Sequence, residues 1–358
     1  MSSNNTVEVS SEEALQLDNL KIFLFEHDLI NDVESDIETR RFSGGFSNLT
    51  YLLLVENKEY VLRRPPFGAV KRGHDMSREF KVLSNLYKEF KKIPKVFAFT
   101  EDDSVLGAPF YIMEKANGII LDYTEAKKRN INPSDFKTIS NTWLNTFVAL
   151  HQVDYKAAGL KDLGRPEGYV ERQITNWAKQ YQKAKTDIIP ESELVIKWLQ
   201  NNQPKEYSYS LIHNDLKYDN VMFKDDSWIE INTILDWEMC TLGDPLMDLG
   251  TSLSYWITED DMDALKKGLP SPTVFKGNPT RLEIVELYSR KSGRPIHNLV
   301  FYYAYGLFKL SVILQQIYYR YHKGYTTDKR FEHLNKHTQL LFNIAWQAIQ
   351  KNKIDNLF

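Results

Sequence analysis

The sequence predicts an α+β fold of two lobes, a small N-terminal lobe with an antiparallel β-sheet and a larger, mainly helical C-terminal lobe. At 358 residues the chain is longer than a single hydrophobic core usually supports. Strand-like patterns are concentrated in residues 1–116, whereas helical periodicity dominates residues 117–358. A content of 42% hydrophobic and 26% charged residues is typical of a globular protein with a large core. We therefore expect the two lobes to meet between residues 116 and 117.

The N-terminal lobe shows helix and strand patterns separated by turn-forming residues. Apolar residues recur at helical spacing in segments 12–28 and 76–90. The predicted strands are a hairpin at residues 49–55 and 60–64 with an Asn57-Lys58 turn, and a strand pair at residues 96–100 and 109–113. The Asn117-Gly118 pair then breaks the chain, which ends the lobe.

The C-terminal lobe is mainly helical in pattern, with one interruption. Segment 133–151 is an amphipathic helix, and the tail at residues 296–350 is helical and rich in Tyr and Phe. Between them lie three short strand-like runs at residues 210–212, 221–223 and 229–235, separated by polar loops. Because polar loops between strands often carry functional residues, we expect the site in this region.

Composition excludes several functional classes. The 45 Lys and Arg residues and 48 Asp and Glu residues give a net charge of −3, which argues against nucleic acid as a partner. A single cysteine, Cys240, cannot form an intrachain disulfide and suits a reducing compartment. Residues 1–11 do not resemble a secretory signal, and no apolar run approaches the ~20 residues that span a bilayer. We expect a cytoplasmic protein without a membrane span.

Residues 213–220 carry the sharpest chemical signal. They read His-Asn-Asp-Leu-Lys-Tyr-Asp-Asn, which fits the kinase catalytic loop His-x-Asp-x-x-x-x-Asn. Phosphoryl transfer needs a group that orients the acceptor hydroxyl, oxygen ligands for Mg²⁺ and positive charge near the phosphates. We predict Asp215 as the catalytic base, Asn220 as a Mg²⁺ ligand and Lys217 as a contact of the transferring phosphate. A surface loop rich in Asn and Asp is the alternative.

Asp236 adds a second carboxylate directly after the next predicted strand, in Asp236-Trp237-Glu238. Its position matches the Asp of the kinase Asp-Phe-Gly motif. Mg²⁺ prefers oxygen ligands and takes few of them from protein, so we predict that Asp236 and Asn220 hold the metal ion. A simple turn at the end of a strand is the alternative.

Segment 43–48, Ser-Gly-Gly-Phe-Ser-Asn, lies where kinases place a glycine-rich loop. Glycines allow backbone N–H groups to approach phosphate oxygens closely. The residues assigned to nucleotide contact are Ser43, Gly44, Gly45, Ser47 and Asn48. A turn with two glycines is more often only a turn, by roughly three to one, so this motif is weak alone.

Arg63 and Glu79 form a second candidate group for the nucleotide. Arg63 stands where kinases carry the Lys that pairs the α- and β-phosphates. A guanidinium stays charged and binds phosphate in bidentate geometry, so the role is preserved. Glu79, on the following predicted helix, is the expected ion-pair partner. The alternative is that Glu79 is a solvated charge on the helix surface, which would be favoured if Arg63 were absent.

Residues 111–118 have the pattern of a kinase gatekeeper and hinge. Backbone groups of Glu114 and Ala116 would be free to pair with adenine, and Met113 would lie beside them, although Met113 fits a core position equally well. The five signals occur in one order along the chain, and their chance agreement is below roughly one in ten. Together they predict a bilobal protein-kinase-like fold that binds ATP and Mg²⁺.

With these motifs in view, the sequence resembles the aminoglycoside phosphotransferase family, which includes choline kinase-like and homoserine kinase-like enzymes. Within it, the chain is similar to the kinase domain fused to acyl-CoA dehydrogenases in animals, and to free-standing bacterial kinases of hydroxyacid degradation. The segments that carry this resemblance are 46–51, 62–66, 164–169, 172–173, 213–220, 302–310 and 320–321.

The resemblance implies ATP- and Mg²⁺-dependent phosphorylation of a small hydroxylated substrate, here a 4-hydroxyacyl-CoA, and a functional link to an acyl-CoA dehydrogenase. Most family members carry Lys where this chain has Arg63, which leaves the affinity for ATP open. Asp244 and Asp248 also match the family. We interpret both as structural residues that cap a helix or accept hydrogen bonds, although their spacing of four also fits a metal site.

Tyr169, Arg172, Tyr255 and Lys309 are the candidates for acceptor binding. The two cations would pair with a phosphate or carboxylate of an acyl-CoA, and such a site should be basic and lined with aromatic rings. The alternatives are that the aromatic residues belong to the core and that the cations are solvated.

Two other functions stay open at this point. One is a choline- or aminoglycoside-type kinase. The other is a nucleotide-binding pseudokinase that performs no transfer, against which the complete set of catalytic and metal-binding side chains counts.

Overall fold

A six-stranded antiparallel sheet organises the N-terminal part of the computed structural model, which describes residues 6–43, 48–66 and 75–358. Its strands are β1 (Thr6–Glu8), β2 (Glu38–Phe42), β3 (Leu49–Val55), β4 (Lys58–Arg64), β5 (Val96–Thr100) and β6 (Phe110–Glu114). Their order in the sheet is β1-β2-β3-β4-β6-β5. The predicted hairpin and strand pair are therefore neighbours in one sheet.

The sheet is covered by a helix on each face. Leu53 of β3 belongs to the apolar cluster that contains Phe23 of α1 (Leu17–Glu26), whereas Leu52 belongs to the cluster that contains Leu83 of α2 (Met76–Leu86). A strand that is buried on both faces needs apolar residues in succession. This explains the run Leu-Thr-Tyr-Leu-Leu-Leu-Val in β3.

The β3–β4 hairpin turns at Glu56 and Asn57, one residue earlier than predicted. Both residues have positive φ, 50° and 60°, as a tight two-residue hairpin turn of the primed type requires. Lys58, expected in the turn, pairs with Val55 as the first residue of β4. Asn tolerates this backbone region well but Glu does not, so the sequence pattern placed the turn at Asn57 and the residue after it instead of at Glu56.

The C-terminal part contains most of the helices and two small sheets. A short helix, α3 (Asp103–Leu106), still belongs to the N-terminal part, where it lies between β5 and β6. The helices of the C-terminal part are α4 (Tyr123–Arg129), α5 (Pro133–His151), α6 (Tyr169–Ala184), α7 (Pro190–Asn201), α8 (Pro245–Ser254), α9 (Asp263–Gly268), α10 (Arg281–Ser292), α11 (Leu299–His322) and α12 (Leu334–Lys351). The strands are β7 (Ile119–Ile120), β8 (Ser210–Ile212), β9 (Val221–Phe223), β10 (Ile231–Ile234) and β11 (Thr241–Gly243). They pair as an antiparallel β7-β9-β10 sheet and a β8-β11 pair.

Helix α11 is the central helix of this part. It contacts α6, α7, α8 and α12, and its first half is buried on every side. At the crossing with α8 the two backbones nearly touch. A Cβ atom built on Gly306 would lie 2.0 Å from the carbonyl oxygen of Gly250. Glycine is therefore required at this crossing.

Most predicted boundaries agree with the structure to within a few residues. Helix α5 spans the predicted residues, and the first helix begins at Leu17 instead of residue 12 because a 3-10 turn at Ser11–Glu13 precedes it. The two-residue strand β7 was not predicted. The lobe boundary at residue 116 stays a prediction. Within the described ranges, the structure contains no helix with the length and apolar character to cross a membrane.

Candidate active site

The predicted catalytic loop connects β8 to β9 and is closed by a contact between its two main candidates. The side-chain nitrogen of Asn220 donates to the backbone carbonyl of Asp215 at 2.8 Å and to its Oδ2 at 2.7 Å. Asn220 ends a 3-10 turn at Tyr218–Asn220, which brings it back over Asp215. Because the amide nitrogen binds Asp215, the amide oxygen is the atom that Asn220 can offer to a cation.

Lys217 and Tyr255 lie beside Asp215. The ammonium of Lys217 is 3.8 Å from Asp215 Oδ2 and 4.7 Å from the centre of the Tyr255 ring. Burial disfavours the charged form of Lys217, but the carboxylates of Asp215, Asp219 and Asp236 outweigh it and raise its pKa. Burial also raises the pKa of Tyr255, as does its hydrogen bond to Asp215. Asp215 therefore lies beside a charged lysine, Lys217, and a protonated tyrosine hydroxyl, that of Tyr255.

Asp236 follows β10 and is held next to the catalytic loop through Leu235. His213 Nε2 donates to the Leu235 carbonyl at 3.0 Å, and the Leu235 N–H donates to the Asn220 carbonyl at 2.8 Å. Burial lowers the pKa of His213, which keeps its ring neutral. Asp236 itself has a left-handed backbone with φ of 64°, a conformation that costs energy outside glycine and concentrates at functional sites.

Arg63 connects Asp236 to Glu79. Its Nη2 is 2.8 Å from Asp236 Oδ1, and its Nε is 3.3 Å from Glu79 Oε2. The structure thus contains the ion pair that the sequence predicts. Burial disfavours the charged form of Asp236, but the Arg63 guanidinium outweighs it and lowers the pKa of that carboxyl. For Glu79, burial is stronger than the attraction of Arg63 and raises the pKa.

Glu238, which was not among the predicted site residues, also contacts Arg63. Its Oε2 accepts from the Asn48 side chain at 3.1 Å and lies 3.5 Å from Nη2 of Arg63. Asn48, a predicted nucleotide contact, is thereby held beside the Arg63 guanidinium. The signal that would have identified Glu238 is its spacing, two residues beyond Asp236 in the same 3-10 turn.

Asp248, on α8, fixes the start of the catalytic loop. It is fully buried and accepts the backbone N–H groups of His213 and Asn214, each at 2.7 Å, and Nε2 of His151 at 3.1 Å. Asp244 caps the same helix by accepting from Leu246 N at 2.9 Å. The interpretation of both acids as structural is confirmed by these contacts.

Four of the predicted nucleotide contacts fall in segment 43–47. Ser43 follows β2 and is exposed, whereas Gly44, Gly45 and Ser47 lie outside the described residues. Their nucleotide contacts stay predictions.

Met113 and Glu114 end β6, and Ala116 follows in a half-buried position. Met113 is buried in the core, as its alternative interpretation had it. The expectation that the backbone of Glu114 is free is wrong for its N–H, which donates to the carbonyl of Lys95, the residue before β5, at 2.8 Å.

All four candidates for acceptor binding contact the protein itself, Tyr255 through Asp215 and Lys217. The guanidinium of Arg172 donates to the carbonyls of Arg165 and Glu167, which braces the loop before α6. Tyr169 and Lys309 are buried and hydrogen-bonded to Asn214. Lys309 is therefore neither a solvated cation nor exposed in a cleft. Contact of any of these side chains with a substrate stays a prediction.

Comparison with known proteins identifies the family. The family model "Phosphotransferase enzyme family", APH, matches residues 38–269. The chain belongs to this family. Mus musculus acyl-CoA dehydrogenase family member 10 is 33% identical over 319 residues, which are 88% of this chain and 29% of that protein. Gallus gallus acyl-CoA dehydrogenase family member 11 is 31% identical over 337 residues, which are 90% of this chain and 43% of that protein. The chain thus spans less than half the length of these relatives.

A solved structure supports the same assignment. A Ralstonia eutropha protein assigned as an aminoglycoside phosphotransferase has a TM-score of 0.79 and 28% identity, over 94% of this chain and 99% of that one. The predicted bilobal, protein-kinase-like α+β fold is confirmed. This phosphotransferase is a kinase with a hydroxyl group as acceptor, as the sequence predicts.

The donor set of this APH-family kinase suits a magnesium ion. Asn220 and Asp236 offer an amide and a carboxylate oxygen that would hold a Mg²⁺ ion, and water and substrate phosphates would supply its other ligands. Within the part of the chain that the structure describes, no group of three or more His, Cys, Asp or Glu side chains is arranged for a metal. Two protein ligands fit a Mg²⁺ ion, which usually takes its other ligands from water and phosphates.

Proposed function

We propose that this phosphotransferase transfers the γ-phosphate of ATP to the hydroxyl group of a 4-hydroxyacyl-CoA, with Asp215 as the base. The observation that carries the proposal is the position of Asp215. It lies within hydrogen-bond distance of Asn220, and the loop that holds both is bonded to the residue preceding Asp236. A carboxylate beside oxygen ligands for a metal is the arrangement that phosphoryl transfer uses.

In the proposed reaction, the acceptor oxygen forms a bond to the γ-phosphorus while the bond from that phosphorus to the bridging β–γ oxygen breaks. ADP leaves with the electron pair of that bond. Asp215 takes the proton of the acceptor hydroxyl and later passes it to solvent. Lys217, whose charge is stabilised by its neighbours, contacts the transferring phosphate, and Arg63 contacts the α- and β-phosphates.

Asn220 and Asp236 are the residues that would hold Mg²⁺. When bound, the ion supplies positive charge that offsets the charge of the phosphates. Despite the effect of burial, the Arg63 guanidinium lowers the pKa of Asp236, so its carboxylate is ionised at neutral pH and can bind a cation.

The relatives support a CoA ester as acceptor. Two of them, at 33% and 31% identity, are named as acyl-CoA dehydrogenase family members and are much longer than this chain. A kinase that acts beside such a dehydrogenase would receive its substrate as an acyl-CoA. An acyl-CoA dehydrogenase is accordingly the proposed functional partner.

The experiment is ATP consumption with Mg²⁺ across 4-hydroxyacyl-CoAs, free hydroxyacids, choline and kanamycin. Asp215→Asn should lower kcat by about 10²–10⁴-fold and leave ATP binding intact, because the base contacts the acceptor and not the nucleotide. Asp225→Asn, an acid in the exposed loop after β9, is the matched control and should retain wild-type turnover.

Turnover on the CoA esters alone supports the proposal. Turnover on choline or kanamycin instead would overturn the substrate but keep the reaction. Nucleotide binding without turnover on any acceptor would favour a pseudokinase, and equal rates for wild type and Asp215→Asn would refute the role of Asp215.

A further inference from the structure

Asn214, the residue before the proposed base, is held by four different parts of the fold. Its backbone N–H donates to Asp248 of α8, and its side-chain nitrogen donates to the carbonyl of Met239 at 3.1 Å. Its Oδ1 accepts from the hydroxyl of Tyr169 on α6 at 3.3 Å. Its backbone carbonyl accepts from the ammonium of Lys309 on α11 at 2.7 Å. Every polar group of Asn214 therefore has a partner.

The backbone of Asn214 needs this support. Its φ of 68° lies in the left-handed region, where asparagine is tolerated but is still less stable than in a right-handed or extended conformation. The conformation turns the chain sharply between His213 and Asp215. Loss of one of the four contacts would allow the peptide to relax, and the carboxylate of Asp215 would move with it.

Lys309 is the least expected of the four partners. The residue is 2% exposed, and its ammonium lies 6.0 Å from the centre of the Trp177 ring. Burial lowers the pKa of Lys309 to about 8, against the attraction of the Asp215 and Asp248 carboxylates. A buried cation is costly unless it is paired and hydrogen-bonded, so a lysine in this position indicates a specific use.

We propose that Lys309 is a positioning residue of the kinase. Its ammonium holds the Asn214 carbonyl in place, so that the next residue, Asp215, faces the acceptor hydroxyl. The proposal rests on the proposed function of Asp215 and reassigns Lys309, whose buried ammonium contacts the loop instead of a substrate. Lys309 acts through Asn214 and takes no part in the chemical step.

The test compares two substitutions on the same helix. Lys309→Met removes the ammonium and keeps most of the apolar stem. Gln315→Met is its matched control, because Gln315 is also buried on α11 and also donates to a backbone carbonyl, that of Ala184, at 2.8 Å. Both variants lose a buried hydrogen bond to a carbonyl, and Gln315→Met also loses one to the Thr186 hydroxyl, at 2.9 Å. Both bonds of Gln315 lie at the end of α6, away from the catalytic loop.

We expect Lys309→Met to lower kcat by about 100-fold, since a displacement near 1 Å at the base has effects of that size. The KM values for ATP and acceptor should change by less than about 2-fold, and Gln315→Met should keep kcat. Tyr169→Phe, which removes only the hydroxyl, is the milder second variant and should lower kcat in the same direction. A raised acceptor KM at unchanged kcat would overturn the proposal in favour of substrate contact.

Amide hydrogen exchange tests the same proposal without a substrate. Exchange in peptides that cover residues 213–220 should rise by about 10-fold in Lys309→Met and stay at the wild-type rate in Gln315→Met. Equal exchange of this loop in both variants would overturn the proposal even if the CoA ester is turned over. Conversely, a wild type that is silent on every acceptor refutes the proposed function, while the exchange result still decides the role of Lys309.

Discussion

Replacing Asp248 with asparagine removes one charge and leaves the shape of a buried side chain almost unchanged. Asp248 Oδ2 accepts from the His213 N–H and from His151, and its Oδ1 accepts from the Asn214 N–H. An asparagine has one oxygen and one NH₂ group. In either orientation, the NH₂ group would face at least one N–H donor that now has no acceptor.

The expected loss of stability follows from these contacts. One charge-assisted hydrogen bond contributes about 1.5–3 kcal/mol, and a buried donor without a partner costs about 1–3 kcal/mol. Because Asp248 is 0% exposed, water does not replace the lost acceptor. We therefore expect the free energy of unfolding to fall by about 3 kcal/mol. In a unit of a few hundred residues this lowers Tm by about 6–12 °C.

The assay is thermal unfolding followed by tryptophan fluorescence, together with kcat for the wild type and each variant. Asp244→Asn is the matched control on the same helix. Its amide oxygen can still accept from Leu246 N, and its NH₂ group can donate to the Tyr302 hydroxyl, which now donates to Asp244. Its Tm should be no lower than that of the wild type. Equal Tm and equal kcat for the two variants would refute this account of Asp248.

Two more predictions follow from buried charges. Arg63→Met should lower the free energy of unfolding by about 3–5 kcal/mol because Glu79 stays buried without its cation, and Arg63→Met combined with Glu79→Met should recover most of that loss in urea titrations. Equal losses in the single and double variants would contradict the ion-pair argument. Burial raises the pKa of Asp244 to about 6, so between about pH 6 and about pH 4 the folded protein holds a proton that the unfolded chain lacks. The wild type should therefore gain stability relative to Asp244→Asn as the pH falls from about 7.5 to about 5, and a constant difference in Tm over that range would show that Asp244 titrates elsewhere.

The sequence predicted the parts of the site that are contiguous or that follow a strand. Residues 213–220 form one contiguous motif, so their spacing is visible in the sequence. Asp236 directly follows a predicted strand, and the end of that strand lies beside the catalytic loop. The ion pair of Arg63 and Glu79 was predictable because each lies on an element with a clear pattern, one a strand and the other a helix. Local patterns were sufficient in these cases.

The contact partners of Lys309 and Glu238 could not be predicted from local patterns. Helix α11 is apolar and aromatic around its first half, so nothing in its pattern indicates which neighbour a lysine would meet. Its partner, Asn214, is 95 residues away along the chain. Glu238 contacts Arg63 across 175 residues. Such contacts depend on how elements far apart in the chain pack together, which a single sequence does not state.

The crossing of Gly250 and Gly306 has a consequence for how this enzyme can change. Lys309 lies one helical turn beyond Gly306, so the separation of α8 and α11 sets how far its ammonium reaches toward Asn214. A methyl group at Gly306 would meet a carbonyl oxygen on the facing helix and force the two helices apart. A library built to broaden acceptor choice should therefore keep these two glycines constant and vary the lining of the cleft. Specificity can then evolve while the catalytic loop keeps its support.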